Sequence, residues 1–194
     1  MARWDPGASD RLRKAAWDLC LERGYDELTV SQIAERAGLT RRSFSRYFPD
    51  KREVLFAGSE QLAAATAAAI LAADRDAPPL AVMLEALATV GARMAGQIDH
   101  PAQRRAVIAA SAELQERERT KLAALSTAIA GALRQRGIEP GTALPLAQAG
   151  TIIFQNAFDR WIDDDAHAGF EPCLRTVAAT LSNALTPSGP QTHT

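Results

Sequence analysis

Six cations fall between Arg36 and Arg52: Arg36, Arg41, Arg42, Arg46, Lys51 and Arg52. Asp50 is the one acid among them, so the segment carries a net charge of +5. Guanidinium and ammonium groups at this density do one of two things. They hold phosphates and read base edges, or they form a solvated face. Hydroxyl and aromatic side chains are interleaved with them, at Thr40, Ser43, Ser45 and Tyr47. Over all 194 residues, 22 basic side chains meet 23 acidic ones, for a net charge of −1. That balance excludes a protein coated in cations, but not a local nucleic-acid patch.

Other chemistry finds little support. His100, His167 and His193 share no metal-ligand spacing. Asp163, Asp164, Asp165 and His167 invite a cation reading, yet adjacent carboxylates at a helix end lack the loop geometry calcium requires. There is no nucleophile motif and no glycine-rich phosphate loop, so no catalytic residue, metal or cofactor is expected. Cys20 and Cys173 lie far apart, which points away from a disulfide framework and towards a reducing cytoplasm. The opening MARWDPGASD has no apolar signal region. The uncharged run from Pro140 to Phe158 has the length of a membrane span, but its prolines, glutamines and asparagine predict a buried helix.

The elements that must position these groups are helices. No strand-like alternation appears, 47% of the chain is hydrophobic, and alanine and leucine are abundant. An all-α fold of about nine helices is expected. The first runs from Ser9 to Gly24 and buries Leu12, Ala16, Leu19 and Cys20 on one face, with Gly24 as a left-handed cap. Thr29 and Gln32 form a capping box for the second, and Thr40 caps a short third that Pro49 closes. Asp50 and Glu53 suggest another box, opening one long fourth helix through Leu55, Leu62 and Ile70. Asp76 to Pro79 is the sharpest internal break. Five helices follow, at about 80–98, 101–115, 117–136, 142–164 and 170–185, and the prolines of 186–194 predict a disordered tail.

Within this order, TVSQIAERAGLTRRSFSRYF (29–48) has the pattern of a helix-turn-helix. Ile33, Ala34 and Phe44 face inward, Gly38 permits a tight turn and Leu39 anchors it. Small Ala34 lets two helices cross steeply, and the second helix of such a motif enters the DNA major groove. Residues 9–56 resemble the N-terminal domain of tetracycline-repressor (TetR) family regulators. AAWDLCLERGYDELTVSQIAERAGLTRRSFSRYFPDKREVL carries the likeness, through Gly24-Tyr25, Ala37-Gly38-Leu39 and Phe48-Pro49-Asp50-Lys51. One departure stands out: Ser45 occupies a position where the family commonly has a phosphate-packing aromatic, usually tyrosine.

The resemblance implies a helix-turn-helix DNA-binding domain at 1–55 and a helical ligand-binding and dimerisation domain at 56–185. It assigns Thr40 to a phosphate through its hydroxyl and backbone amide, and Arg41 and Arg42 to base edges, guanine O6 and N7 foremost. Ser43 reaches a base or a phosphate, while Tyr47 and Lys51 hold the backbone and set register. Thr29 either meets a phosphate or serves purely as a cap; Arg46 either contacts DNA or is solvated. Arg3, in a flexible arm, either enters a minor groove or is simply disordered.

Beyond residue 56 the resemblance is architectural. Ile152, Trp161, Leu174, Val177, Leu181 and Leu185, with Phe158, supply apolar positions for a twofold four-helix bundle or for the chain's own core. Met83, Leu87, Val90, Met94, Val107, Ile108, Phe154 and Phe158 either line an effector pocket or are ordinary core. HPAQRRAVIAASAELQERER and FQNAFDRWIDDD resemble an actinobacterial-type branch of the family whose effectors are acyl thioesters. The partners implied are a palindromic double-stranded operator, a second copy, and an acyl or other apolar small molecule whose binding releases the repressor. An effector-independent DNA-binding protein, and a helical enzyme or carrier with a DNA-binding-like N-terminus, are the alternatives.

Overall fold

The computed structural model describes residues 7–57, 59–164 and 169–185. Within them the chain forms ten helices and no strand. They are α1 (Ala8–Arg23), α2 (Val30–Arg36), α3 (Arg41–Tyr47), α4 (Lys51–Leu55), α5 (Ser59–Ala72), α6 (Pro79–Ala95), α7 (Pro101–Ala110), α8 (Ala112–Gln135), α9 (Pro140–Asp163) and α10 (Phe170–Leu185). Arg3, Asp165, His167 and the tail 186–194 fall outside the described residues, as do the roles suggested for them. No described helix is long and apolar enough to cross a membrane.

Two compact units result, each discontinuous in sequence. The first comprises residues 1–60 and 100–121, the second 61–99 and 122–194. A single boundary near residue 55 leaves out the return of 100–121 to the first unit, because the contacts that recruit it join positions dozens of residues apart.

In the first unit, Leu12, Ala16, Leu19 and Cys20 of α1 pack with Ile33, Phe44, Val54 and Leu55, and Ile108 and Leu114 complete that core. Polar bonds hold α4 at both ends. Asp50 Oδ1 accepts the Arg52 and Glu53 amides at 2.8 and 2.9 Å, and Arg104 Nη2 donates to the Leu55 carbonyl at 3.3 Å. The expected Asp50–Glu53 box is only half formed. The Glu53 carboxylate instead accepts both Nε and Nη2 of Arg117, at 2.7 and 2.9 Å. A bidentate guanidinium fixes that carboxylate better than a single backbone N–H does.

In the second unit α6 packs against both α9 and α10, which also pack on each other, with Met83, Leu87, Ile129, Leu133 and Phe154 buried. Arg136 caps the end of α5: Nη1 donates to the Ile70 and Ala73 carbonyls at 3.0 and 2.8 Å, and Nη2 to the Asp74 carbonyl. α10 begins with Phe170, whose ring lies 5.3 Å from Phe154 and 6.0 Å from Phe158. The ring sits directly over Gly91, where a Cβ would come within 2.8 Å of three of its carbons.

The long fourth helix expected from the sequence is two helices. α4 stops at Leu55 and α5 starts at Ser59, across a stretch that carries Gly58, a poor helix former. The break expected near 115–117 lies instead at Ser111, whose backbone is extended (φ −124°, ψ 119°). Its hydroxyl accepts the Leu114 amide at 3.4 Å, so Ser111 is the N-terminal cap of α8.

Gly91→Ala should destabilise the second unit by about 1–3 kcal/mol, since a methyl there overpacks the Phe170 ring. Urea unfolding checks this; an unchanged midpoint would contradict the close approach.

Candidate nucleic-acid interface

The helix-turn-helix is closed by backbone bonds that the sequence makes available. Gly38 has φ +70°, a conformation glycine adopts without penalty. Its N–H donates to the Glu35 carbonyl at 3.0 Å, and the Leu39 N–H reaches back to the Ala34 carbonyl at 2.8 Å. This pair of bonds is a Schellman motif, which satisfies the carbonyls that α2 leaves orphaned at its C-terminus. Arg11 of α1 adds a side-chain donor to the Ala37 carbonyl at 3.4 Å. Ala34 is 1% exposed and Phe44 also 1%, so α3 is seated by its inner face. Phe44 meets Phe48 at 5.7 Å between ring centres.

Both threonines predicted at helix starts are caps. The Thr29 hydroxyl oxygen accepts the Gln32 amide at 3.3 Å, while Gln32 Oε1 accepts the Thr29 N–H at 2.8 Å. Thr40 accepts the Ser43 amide at 3.1 Å, and the two hydroxyls lie 3.0 Å apart. Ser45, in place of the usual aromatic, donates to the Arg41 carbonyl at 3.2 Å. Its side chain is thus turned onto its own helix.

The six cations separate by their partners. Arg36 makes two bonds of 2.8 Å to the Glu22 carboxylate, whose pKa is lowered first by that hydrogen bonding. Arg52 lies 3.3 Å from Asp50, 3.6 Å from Glu53 and 3.8 Å from Glu113. Lys51 Nζ donates to the Tyr25 and Asp26 carbonyls at 3.0 and 3.5 Å, and lies 4.2 Å from the Tyr25 ring centre. Arg41, Arg42 and Arg46 are exposed and have no carboxylate partner among the described residues. The net +5 of the segment therefore resolves into three guanidiniums displayed on α3. Ser43 and Tyr47 are half-buried beside them.

The apolar candidates divide differently. Val107 and Ile108 join the core of the first unit, whereas Met83, Leu87, Val90, Met94, Phe154 and Phe158 belong to that of the second. The structure does not bring the eight together. Met83 and Leu87 are 0% exposed, because α6 turns this face onto α9. Among the proposed interface residues, Trp161 and Leu174 are also core, at 6% and 1% exposure. Ile152 and Leu185 are exposed at 56% and 74%, and Val177 and Leu181 are half-buried. Sequence periodicity misses two grooves in the second unit. One, of about 610 Å³, is walled by Leu80, Leu84, Ala88, Leu146, Ile153 and Leu181. The other, of about 840 Å³ along α9 and α10, includes Ile152, Asn156, Val177 and Leu181.

A capped, Schellman-closed helix pair, presenting guanidiniums with no carboxylate partner among the described residues, has the geometry of a helix-turn-helix. Residues 12–57 match the family model described as "Bacterial regulatory proteins, tetR family". That match covers the N-terminal helices alone, about a quarter of the chain. A similar protein is the uncharacterized HTH-type transcriptional regulator YdeS of Bacillus subtilis, 37% identical over 51 residues; the match spans 26% of each chain. The fold resembles that of the regulator FadR from Bacillus subtilis in complex with stearoyl-CoA (20% identity, TM-score 0.62, 91% of this chain and 99% of that one). It also resembles a SmeT–triclosan complex (17% identity, TM-score 0.61, 90% and 91%).

Gly38→Ala should destabilise the first unit by about 1–2 kcal/mol, because a Cβ opposes the left-handed conformation. Thermal unfolding measures this, and an unaltered transition would show that the turn tolerates a side chain.

Proposed function

We propose that the chain is a ligand-responsive transcriptional regulator, a repressor that binds a palindromic operator as a homodimer and is released by a small apolar effector. The observation that carries this reading is the set of three carboxylate-free guanidiniums on α3. Arg41 and Arg42 read base edges, with guanine the natural target of a bidentate guanidinium. Arg46, one turn beyond Arg42, reaches the backbone. Thr40 and Ser43 contribute hydroxyls at the start of α3, and Thr29 at the start of α2. Tyr47 sets register. Lys51 has three ammonium hydrogens, and one remains for a phosphate after the two carbonyls are served.

Twofold pairing is supported by the apolar side chains of Ile152, Val177 and Leu181 along the α9–α10 groove, and by the exposed Leu185 at the end of α10. A twofold protein matches a palindromic site. An effector site is supported by the apolar groove of about 610 Å³ between α6, α9 and α10. The two fold relatives described above are complexes with stearoyl-CoA and triclosan, and an acyl or comparably apolar compound suits this groove too. No reaction is assigned to the chain, and its place of action is the cytoplasm, with the DNA.

Arg41→Ala and Arg42→Ala should each relax base preference and weaken specific binding by about 1–3 kcal/mol. Selection of bound fragments from genomic DNA, followed by fluorescence anisotropy on the enriched site, tests this. Failure to enrich a consensus, or normal binding by both variants, would remove the assignment. Sedimentation at micromolar concentration should give a dimer mass, reduced to the monomer by Ile152→Glu. A monomeric wild type would end the pairing proposal.

A further inference from the structure

α4 is five residues long, too short to keep a helical course by its own backbone bonds. Val54 and Leu55 sink it into the core of the first unit, at 0% and 2% exposure. Apolar burial sets its depth but is non-directional, so it determines the rotation of so short a helix only weakly. Directional bonds supply the rest, and they come from residues 100–121, which the topology returns to this unit.

Arg117 of α8 makes the most directional of them. Its Nε and Nη2 donate to the two oxygens of Glu53 at 2.7 and 2.9 Å, and its guanidinium carbon lies 5.6 Å from the centre of the Phe56 ring. The Arg117 and Glu53 side chains are 15% and 20% exposed, so solvent screens this planar pair little. Glu113, one turn earlier on α8, faces Arg52 at 3.8 Å, and Arg52 lies 3.6 Å from Glu53. Charge therefore alternates between the two helices, from Glu113 to Arg52, then Glu53, then Arg117. Arg104 holds the Leu55 carbonyl at the far end of α4. Lys51 is the first residue of the helix clamped in this way, and its Nζ lies 3.0 and 3.5 Å from the Tyr25 and Asp26 carbonyls.

We propose that Arg117 is a positioning residue for DNA binding: through Glu53 it fixes the rotation of α4 and so aims Lys51 at a phosphate. Arg117 acts here without touching the DNA. The inference rests on the operator-binding reading of Lys51 and makes that contact depend on a side chain of α8.

Fluorescence anisotropy on a genomic fragment enriched by the wild type, over a range of salt concentrations, tests this, with thermal unfolding run on every variant. Arg117→Gln should weaken operator and unrelated DNA alike by about tenfold and reduce the salt slope by about one. The base preference carried by Arg41 and Arg42 should be unchanged. Arg117→Lys keeps the charge but loses the fork, and should recover part of the loss. In a Lys51→Ala background Arg117→Gln should cost little more, because the contact it aims is already gone. If Arg117→Gln unfolds at the assay temperature, Arg117→Lys carries the same comparison. Undiminished binding by Arg117→Gln, a relaxed base preference, or losses that add fully to those of Lys51→Ala would each overturn the inference. A wild type that enriches no consensus defeats the operator reading and this inference with it. A wild type that binds specifically, beside an Arg117→Gln that binds equally well, defeats this inference alone.

Discussion

The bond from the Leu39 N–H to the Ala34 carbonyl, 2.8 Å long, is the constraint on which the interface depends. It closes the turn after α2 and thereby fixes the direction in which α3 leaves. It requires a residue of positive φ at position 38 and a small side chain at 34, where the two helices approach. Given those, Phe44 seats α3 by one face, and the opposite face is presented outward with no further adjustment. The threonine caps at 29 and 40 then satisfy amides at both helix starts without any long side chain. A display surface for arginines is thus built mainly from backbone bonds and small residues, which leaves the long side chains unencumbered.

Carboxylate placement decides what each cation does. Glu22 takes Arg36, Glu53 takes Arg117, and Asp50 with its neighbours takes Arg52. These pairs differ in worth: the Arg36–Glu22 pair is solvent-exposed and contributes little, whereas Arg117–Glu53, with side chains 15% and 20% exposed, is far less screened. The cations left over fall into two groups with different environments. Those on α3 sit in water, where an unpaired guanidinium is comfortable and available. Arg104 instead rests against the Trp17 and Phe56 rings and donates to the Leu55 carbonyl, so its charge is partnered without a carboxylate.

Much of this was legible before any coordinates. The helix type, the caps at Thr29, Thr40 and Asp50, the Gly38 turn and the inward set of Ile33, Ala34 and Phe44 are local, set by residues three or four apart. What was not legible is long-range. Nothing near Glu53 in sequence indicates that Arg117 will claim its carboxylate, and nothing near Lys51 indicates the Tyr25 and Asp26 carbonyls. The net +5 therefore overstated the free charge. The same limit affected the apolar residues. Periodicity identified Met83, Leu87, Trp161 and Leu174 as inward-facing, but inward for a pocket, a partner or a core is one pattern, and burial assigned these four to the core. Ser111 was missed for a different reason: a serine cap inside a continuous helical pattern is masked by the good helix formers on both sides.

Phe170 pegs α10 at its first residue, in the notch over Gly91, while the far end of the helix carries the exposed Leu185. A helix of this length extends about 24 Å, so pivoting by about 5° around the peg displaces its far end by about 2 Å. Leu181, near that moving end, is shared by the wall of the 610 Å³ groove and by that of the 840 Å³ groove. The helix is thus a wall common to two clefts, and any displacement of its far end would reshape both.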